Sequence, residues 1–307
     1  MKAISLALLA MLSTSLFAHE DHDWREDYMA FLSVEYPMPV SKRIMPKSFR
    51  PLSLSRLDME YFKDKLAILS SVERKSNKGL DFARGLLKQE YEKIGFQVSL
   101  QPFGTGTNFI AEKKGTLVPE RVLILSSHID SVGNMGANDN GTGTIGLLTV
   151  AQELAKKNYG ATIRILGFDR EERGLVGSDA YVATIDKNSI IGNINFEMMG
   201  YHSKNDGGFH VIDCDKEHSL FLSRAIKESI TDLSLALTPV KTCTDRSDHA
   251  SFWRKKIPAV VISENFFGGD GDPCYHDKCD IMDERLNYSY MKNILDAVLD
   301  ATEKIAK

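Results

Sequence analysis

The stretch that decides the fold is RVLILSSHIDSVGNMGANDNGTGTIGLLTVAQELAKKNYGATIRILGF, residues 121–168. Residues 121–127 and 162–168 at its two ends are continuous apolar runs, as parallel strands buried on both faces require. Residues 142–157 between them have the apolar spacing of a helix. A strand, a helix and a second strand in this order predict a βαβ unit with two parallel strands.

The same alternation continues along most of the chain. Residues 190–196 and 257–263 are further apolar runs typical of buried strands, and helical spacing marks residues 57–72, 78–95, 220–230 and 290–305. The pattern predicts an α/β fold: a single domain over residues 56–307, with a mixed, mostly parallel central sheet sandwiched by helices. Ligands of such folds bind at the carboxyl ends of the strands.

Charged side chains follow each of the predicted strands. They are His128, Asp130 and Asp139, then Asp169, Glu171 and Glu172, then Glu197, and finally His276. Carboxylates gathered on one rim of a buried sheet repel each other and lose hydration, and a divalent metal ion, which imidazoles also bind, offsets both effects. The sequence therefore predicts a metal site.

Gly141, Gly143 and Gly146 match the dinucleotide-binding pattern G-x-G-x-x-G. That pattern needs its first glycine directly after the strand, whereas residues 128–140 intervene here. We interpret the glycines instead as the start of a helix whose backbone passes close to the site. Residues 138–140, Asn-Asp-Asn, are suited to the loop and N-cap before it.

Two polar clusters allow more than one interpretation. Glu171 and Glu172 are adjacent, so their side chains can point in different directions and take different roles; the alternative is a solvated helix start. Ser247, Asp248 and His249 are adjacent and cannot form a catalytic triad among themselves. Since a G-x-S-x-G elbow is also missing, we expect a polar loop at residues 245–252 rather than a serine hydrolase.

Composition narrows the classes of partner. The 307-residue chain is 43% hydrophobic and 26% charged, as in an ordinary globular protein. Its formal net charge is −4, and it has no basic stripe. Nucleic acid and anionic membrane surfaces are therefore disfavoured as partners.

The N-terminus has the pattern of a secretory signal peptide over residues 1–18. Lys2 precedes an apolar stretch at residues 4–17, and small residues surround a cleavage point after Ala18. The alternative is a buried N-terminal helix. We expect an exported protein, in the periplasm or the medium. Residues 19–55 are interpreted as an N-terminal extension, a pro-segment or a lid, whose two histidines belong to a solvated tail.

Four cysteines in an exported chain predict disulfides, and four cysteines allow three pairings. Cys274 and Cys279 are close enough in sequence to close one short loop, which would leave Cys214 with Cys243. No pair has C-x-x-C spacing, so a cysteine-based zinc site is disfavoured.

With these residues in view, the chain resembles the M28 family of co-catalytic zinc aminopeptidases, in particular the secreted streptomycete-type leucyl aminopeptidases. The resemblance rests on seven blocks between residues 126 and 280, and it does not cover residues 1–55. The blocks are SSHIDSV, GANDNGTGT, GFDREERGLVGS, INFEMMGY, DRSDHASF, IPAVVIS and DPCYHDKCD.

The resemblance implies two zinc ions and a role for each matching residue. The implied ligands are His128, Asp139 as the bridge, Glu172, Glu197 and His276. Glu171 is implied as the general base, and Asp130 as the residue that orients His128. Arg246 matches an arginine that contacts substrate, and Tyr275 matches a tyrosine that polarises the scissile carbonyl. In the relatives, a disulfide brackets the histidine as Cys274 and Cys279 bracket His276.

The implied activity is hydrolysis of the N-terminal peptide bond of peptides, with a metal-bound hydroxide as the nucleophile. Glu171 and Glu197 would receive the substrate ammonium, and the enzyme is expected to be a monomer. The chain departs from the streptomycete pattern by having Glu197 in place of an aspartate and by a shorter loop before His276. Alternatives are a one-zinc glutaminyl cyclase, an M28 dipeptidase or carboxypeptidase, and a non-catalytic relative; cobalt or manganese could also occupy these ligands.

Overall fold

An eight-stranded sheet runs through the part of the chain that the computed structural model describes, residues 56–307. Its strands are β1 (Gln97–Phe103), β2 (Gly106–Lys113), β3 (Val118–His128), β4 (Ala161–Phe168), β5 (Ile190–Phe196), β6 (Gly208–Ile212), β7 (Thr238–Pro239) and β8 (Ala259–Glu264). The predicted signal peptide and N-terminal extension lie outside the described residues.

The middle of the sheet is parallel and its flanks are antiparallel. The strand order is β1-β2-β4-β3-β5-β8-β6-β7, and β4, β3, β5 and β8 run parallel to one another. On one flank β2 is antiparallel to β4, and on the other β6 is antiparallel to β8. The four predicted strands are the four parallel ones, so the predicted mixed α/β sheet is confirmed.

Helices cover both faces of the sheet. They are α1 (Met59–Leu69), α2 (Asn77–Lys93), α3 (Gly143–Ala155), α4 (Val176–Val182), α5 (Leu220–Asp232), α6 (His249–Arg254) and α7 (Tyr288–Ile305). On one face α3 contacts α1, α2 and α7, and α7 contacts α5. On the other face α4 contacts α6. No helix of residues 56–307 has the length and apolar character needed to span a bilayer.

Strand β3 is buried on both of its faces. Ile124 packs with Leu166, Phe168 and Phe252 in the cluster beneath α4 and α6. Leu123, the neighbour of Ile124, is also fully buried, and adjacent strand residues point to opposite faces. A strand buried on both faces explains the continuous apolar run in the sequence.

The structure corrects the sequence prediction in two places. The flanking strands β1, β2, β6 and β7 were not predicted; β1 has no buried residue, so it lacks the apolar run that marks the central strands. Residues 245–252, predicted as a loop, include the start of α6 at His249. A six-residue helix is too short for its periodicity to be recognised.

Candidate metal centre

Four parallel strands deliver charged side chains to the same edge of the sheet. His128 ends β3, and Glu197 directly follows β5. Glu171 and Glu172 begin the turn after β4, and His276 lies in the loop after β8. The structure brings these residues together at one edge of the sheet, because the carboxyl ends of parallel strands lie on one rim.

The donor atoms form two groups that share Asp139. In the first group, His128 Nε2 lies 3.3 Å from Asp139 Oδ1 and 3.3 Å from Glu197 Oε1. In the second group, His276 Nε2 lies 3.2 Å from Asp139 Oδ2 and 3.1 Å from Glu172 Oε2. Ligand atoms of His128, Asp139 and Glu172 all lie within 4.8 Å of one another. Asp139 therefore offers one oxygen to each group.

The donor set fits a divalent metal of the zinc type. Imidazole nitrogens and carboxylate oxygens are its usual ligands. His128 and Asp139 are buried, and Glu172 Oε1 is buried without a hydrogen-bond partner among the described residues. A buried carboxylate oxygen without a partner is unfavourable, and a bound cation would satisfy it.

Burial and mutual repulsion perturb the carboxyl groups. The pKa of Glu172 rises to about 8, first because of burial and then because of the Asp139 charge. The pKa of Glu171 lies well above its usual value, mainly through burial; His128 lowers it, and the charges of Asp248 and Glu197 raise it further. Burial would raise the pKa of Asp139 too, but hydrogen bonds from His128 and His276 lower it. The site thus concentrates negative charge that a cation would stabilise.

Asp130 holds two parts of the site in place. His128 Nδ1 lies 3.2 Å from the backbone carbonyl oxygen of Asp130 and 3.5 Å from its Oδ1. The Asp130 carboxylate accepts hydrogen bonds from the backbone N–H groups of Glu171 (3.1 Å) and Glu172 (3.2 Å). Asp130 is therefore arranged to orient His128 and also to fix the turn that presents both glutamates.

Removing the charge of Asp130 should weaken metal binding without unfolding the protein. For Asp130→Asn we expect the metal dissociation constant to rise about 10- to 100-fold, because outer-shell partners fix ligand orientation and basicity. Competition with a chromophoric chelator measures it. Asp186→Asn, on an exposed turn, is the matched control, and an unchanged constant in Asp130→Asn would contradict the assignment.

Two residues that fix the Asp139 loop escaped the sequence analysis. Asp280 accepts hydrogen bonds from the N–H groups of Asn138 (2.7 Å) and Asp139 (3.0 Å), whose chain continues through a cis Asp139–Asn140 peptide bond. Arg74 is fully buried and donates to the carbonyls of Met135 (2.6 Å) and Gly136 (2.7 Å). Asp280 directly follows Cys279, one of the cysteines that the sequence analysis identified, and this position could have indicated it. No feature of the sequence indicates a role for Arg74.

The glycine-rich segment begins a helix, as predicted. Asn140 Oδ1 accepts a hydrogen bond from Gly143 N (3.1 Å), where α3 begins. A Cβ atom on Gly143 would lie 2.2 Å from that oxygen, so a side chain does not fit there.

Both disulfides are present. Cys274 is bonded to Cys279, and Cys214 to Cys243. The first bond closes the short loop that carries His276, whose backbone has the left-handed φ of 58°. Asp277 O in this loop accepts a hydrogen bond from Asn134 Nδ2 (3.0 Å), so the loop is joined to the segment that leads to Asp139.

Ser247 and His249 have separate partners. Ser247 Oγ donates to Glu197 Oε2 (2.8 Å), while His249 Nε2 is 3.0 Å from the carbonyl of Thr244. The two residues are not paired with each other, which agrees with rejecting a serine hydrolase. Ser247 instead orients a carboxylate of the metal centre.

A cleft of about 470 Å³, partly open to solvent, lies in front of these donors. Apolar side chains, among them Met198, Ile212 and Phe266, line one part of it, and Arg246 and Tyr275 also contribute to its wall. The Tyr275 ring stacks on His276 with 3.8 Å between centroids. The pKa of Tyr275 is raised, first by burial and then by Asp139 and Glu172, so its phenol stays protonated.

The chain is similar in sequence to known peptidases. The profile of Peptidase family M28 matches residues 108–302. The chain is 32% identical over 247 residues to leupeptin-inactivating enzyme 1 of Streptomyces exfoliatus, an alignment covering 72% of this chain and 51% of that enzyme. The chain spans about half of the length of the curated relatives it matches, or less.

Solved structures share the fold. An aminopeptidase from Aneurinibacillus sp. strain AM-1 superposes with a TM-score of 0.72 at 18% identity, covering 82% of this chain and 95% of that one. The zinc aminopeptidase BSAP of Bacillus subtilis gives 0.61 at 25% identity, covering 66% and 50%. A glutaminyl cyclase of Bacteroides thetaiotaomicron gives 0.68 at 16% identity, covering 81% and 98%.

Proposed function

The chain belongs to peptidase family M28, and from that premise we propose that it is a zinc-dependent aminopeptidase acting on peptides with a free N-terminus. His128, Asp139 and Glu197 would hold one zinc ion, and His276, Asp139 and Glu172 a second. The observation that carries the proposal is the shared carboxylate, since Asp139 has one oxygen 3.3 Å from His128 and the other 3.2 Å from His276.

Zinc ions in such a site would polarise the scissile carbonyl and bring the pKa of water to about 7. Glu171 is the general base in this proposal. Its backbone is fixed by Asp130, its side chain lines the cleft, and its pKa is raised mainly by burial. A carboxyl group with a raised pKa can take a proton from the attacking water and return it to the leaving amine.

Tyr275 is the proposed donor to the oxygen of the scissile carbonyl. The raised pKa of its phenol, caused first by burial, keeps the O–H available as a donor. A donor aimed at the oxygen where negative charge develops stabilises the transition state more than the ground state. Stacking on His276 keeps the phenol beside the metal donors.

The preference for a free N-terminus follows from the carboxylates that face the cleft. Glu171 and Glu197 would attract an α-ammonium group, which an internal peptide bond lacks. Glu197 is held by Ser247 through one oxygen and lies beside His128 through the other. Glu197 stands where the streptomycete-type enzymes have an aspartate, and its longer side chain would narrow the space for the substrate amine. Arg246, which also lines the cleft, would contact the substrate.

A glutaminyl cyclase is the second candidate, because such an enzyme shares the fold. The trio of Asp139, Glu172 and His276 could by itself hold the single zinc ion of a cyclase. The close approach of Glu197 Oε1 to His128 Nε2, 3.3 Å, favours a second metal position. Two zinc ions per chain by elemental analysis would support the aminopeptidase, and one would favour the cyclase.

Hydrolysis of leucine 4-nitroanilide by the zinc-loaded protein tests the proposal directly. We expect turnover that a chelator abolishes and that zinc restores, because the donor set requires a metal. The N-acetylated compound is the matched control and should not be cleaved, since it lacks the ammonium. No turnover of the free amine by protein with two bound metals would contradict the leucyl-type activity.

We also propose that the protein is exported and acts as a monomer, with residues 19–55 as an extension of the peptidase domain. The two disulfides support an oxidising compartment.

A further inference from the structure

The chain between β7 and α6 forms part of the cleft wall without regular secondary structure. We call residues 241–246 of this connection the wall segment. Thr244 and Arg246 of the wall segment line the cleft together with the metal donors, and Ile212, the last residue of β6, lines it as well. The contacts that hold the wall segment therefore bear on how the cleft receives a substrate.

Few non-covalent contacts hold the wall segment. Within residues 56–307, none of its residues forms a backbone–backbone hydrogen bond. His249 Nε2 lies 3.0 Å from the carbonyl oxygen of Thr244. Lys241 forms an ion pair with Asp215 (2.9 Å), in which both side chains are exposed. One hydrogen bond and one exposed ion pair contribute little to holding a segment of six residues.

A disulfide provides the covalent attachment of the wall segment. Cys243, the neighbour of Thr244, is bonded to Cys214. Cys214 lies two residues after Ile212, which ends β6 and pairs with Val261 of β8. The bond therefore joins the wall segment to the end of a sheet strand that contributes to the same cleft.

The guanidinium of Arg246 depends on the position of the wall segment. It forms no hydrogen bond or ion pair with any side chain or backbone group of residues 56–307. The backbone N–H of Arg246 donates to Thr244 Oγ1 (3.2 Å), within the wall segment itself. The position of the backbone therefore decides where the guanidinium lies in the cleft wall.

Ser247, directly after the wall segment, is held independently of the disulfide. Its Oγ accepts a hydrogen bond from Asn195 Nδ2 (2.8 Å) and donates to Glu197 Oε2 (2.8 Å). Its carbonyl oxygen accepts from the N–H of Ala250 (3.0 Å), in α6. The contact of Ser247 with the metal donors should therefore persist when the disulfide is absent.

We propose that the Cys214–Cys243 disulfide positions Thr244 and Arg246 for substrate binding and has no part in the chemical step; this inference rests on the proposed aminopeptidase function. Without the bond, a substrate would have to order the wall segment as it binds, and such ordering weakens binding. A loss that affects the ground state and the transition state equally raises KM and leaves kcat unchanged.

Replacing both cysteines tests the inference with the zinc-loaded full chain and the tripeptide Leu-Gly-Gly. For Cys214→Ser/Cys243→Ser we expect KM to rise about tenfold, because two more side chains have to be ordered on binding. The kcat should stay within about twofold, and the zinc content should not change. Val298→Ala is the control, because it lowers the stability at a fully buried position of α7 that does not line the cleft. Its KM should equal that of the wild type.

A double-mutant cycle distinguishes positioning from general stabilisation. Arg246→Ala should raise KM several-fold in the disulfide-bonded protein. In the Cys214→Ser/Cys243→Ser background it should have a much smaller effect, because the loosened backbone no longer places the guanidinium, and coupled residues show such non-additive effects. Additive effects, or no effect of Arg246→Ala in the disulfide-bonded protein, would overturn the proposal.

Opening the bond in the folded wild type gives the same test without the folding of a variant. Cys243 is exposed, so a water-soluble phosphine can reach the bond. The phosphine is oxidised to its oxide, one water is consumed, and the disulfide is reduced to two thiols. Peptide mass mapping identifies the fraction in which Cys274–Cys279 is still closed, and this fraction should show the same rise in KM.

The outcomes separate this inference from the proposed function. An unchanged KM in the double serine variant, or a loss of zinc or of kcat in its place, would rule out the positioning role and leave the aminopeptidase standing. If the disulfide-bonded protein hydrolysed neither Leu-Gly-Gly nor leucine 4-nitroanilide, the aminopeptidase would be wrong, and this inference with it.

Discussion

Glu171→Gln should lower kcat for leucine 4-nitroanilide by about 10³-fold while both metal ions stay bound. General acid–base groups contribute about 10²- to 10⁴-fold, and a glutamine of nearly the same shape cannot take up the proton. Both metal ions should stay bound because Glu171 belongs to neither donor group. The glutamate that lies beside His276, with 3.1 Å between Oε2 and Nε2, is Glu172. Steady-state kinetics and elemental analysis of the same sample measure both quantities.

The adjacent Glu172→Gln is the matched comparison for this result. It makes the same chemical change one residue along the chain, but it should reduce the metal content because Glu172 is a proposed ligand. If Glu171→Gln kept turnover within a few-fold of wild type, the general base would have to be another residue. If it lost metal as Glu172→Gln does, Glu171 would be a ligand.

Asp139→Asn should remove both metal ions together, and with them at least about 10³-fold of the activity. The two oxygens of Asp139 face His128 and His276 separately, and an amide offers one weaker acceptor oxygen in their place. The loss of metal-assisted chemistry removes the main source of transition-state stabilisation in the proposed mechanism. Zinc titration, followed by calorimetry, measures the number of sites and their affinities.

His276→Ala provides the contrast for the bridging role. It should weaken the second site, which it shares with Glu172, and leave the site of His128 and Glu197 less affected. Two intact high-affinity sites in Asp139→Asn would rule out the bridge. If Asp139→Asn lost only one metal ion, Asp139 would be a ligand of that ion alone.

The sequence predicted the parallel centre of the sheet because those strands are buried on both faces. Residues 190–196 were predicted and observed as β5 with the same bounds, and all seven are buried. Continuous apolar runs of this kind are specific for central strands. The flanking strand β1 has no buried residue and so no such run, and β7 has two residues only.

The predicted metal-binding residues also lie together, since parallel strands carry their ends to one rim regardless of the loops between them. Residues that act on the site from elsewhere were missed. Arg74 reaches the carbonyl of Gly136, and Asp280 reaches the N–H of Asp139. Such contacts depend on how a loop folds over another loop, which has no periodicity to detect.

The amino-acid sequence by itself determined which donors exist and after which strand each one comes, because strand burial and residue chemistry are local properties of the chain. Only the tertiary structure decided that Asp139 turns one oxygen to each histidine, that Asp130 fixes both glutamates, and that Asp280 and Arg74 hold the loop of Asp139. These features depend on side-chain directions and on contacts between segments far apart in sequence, and such contacts are fixed by packing rather than by local pattern.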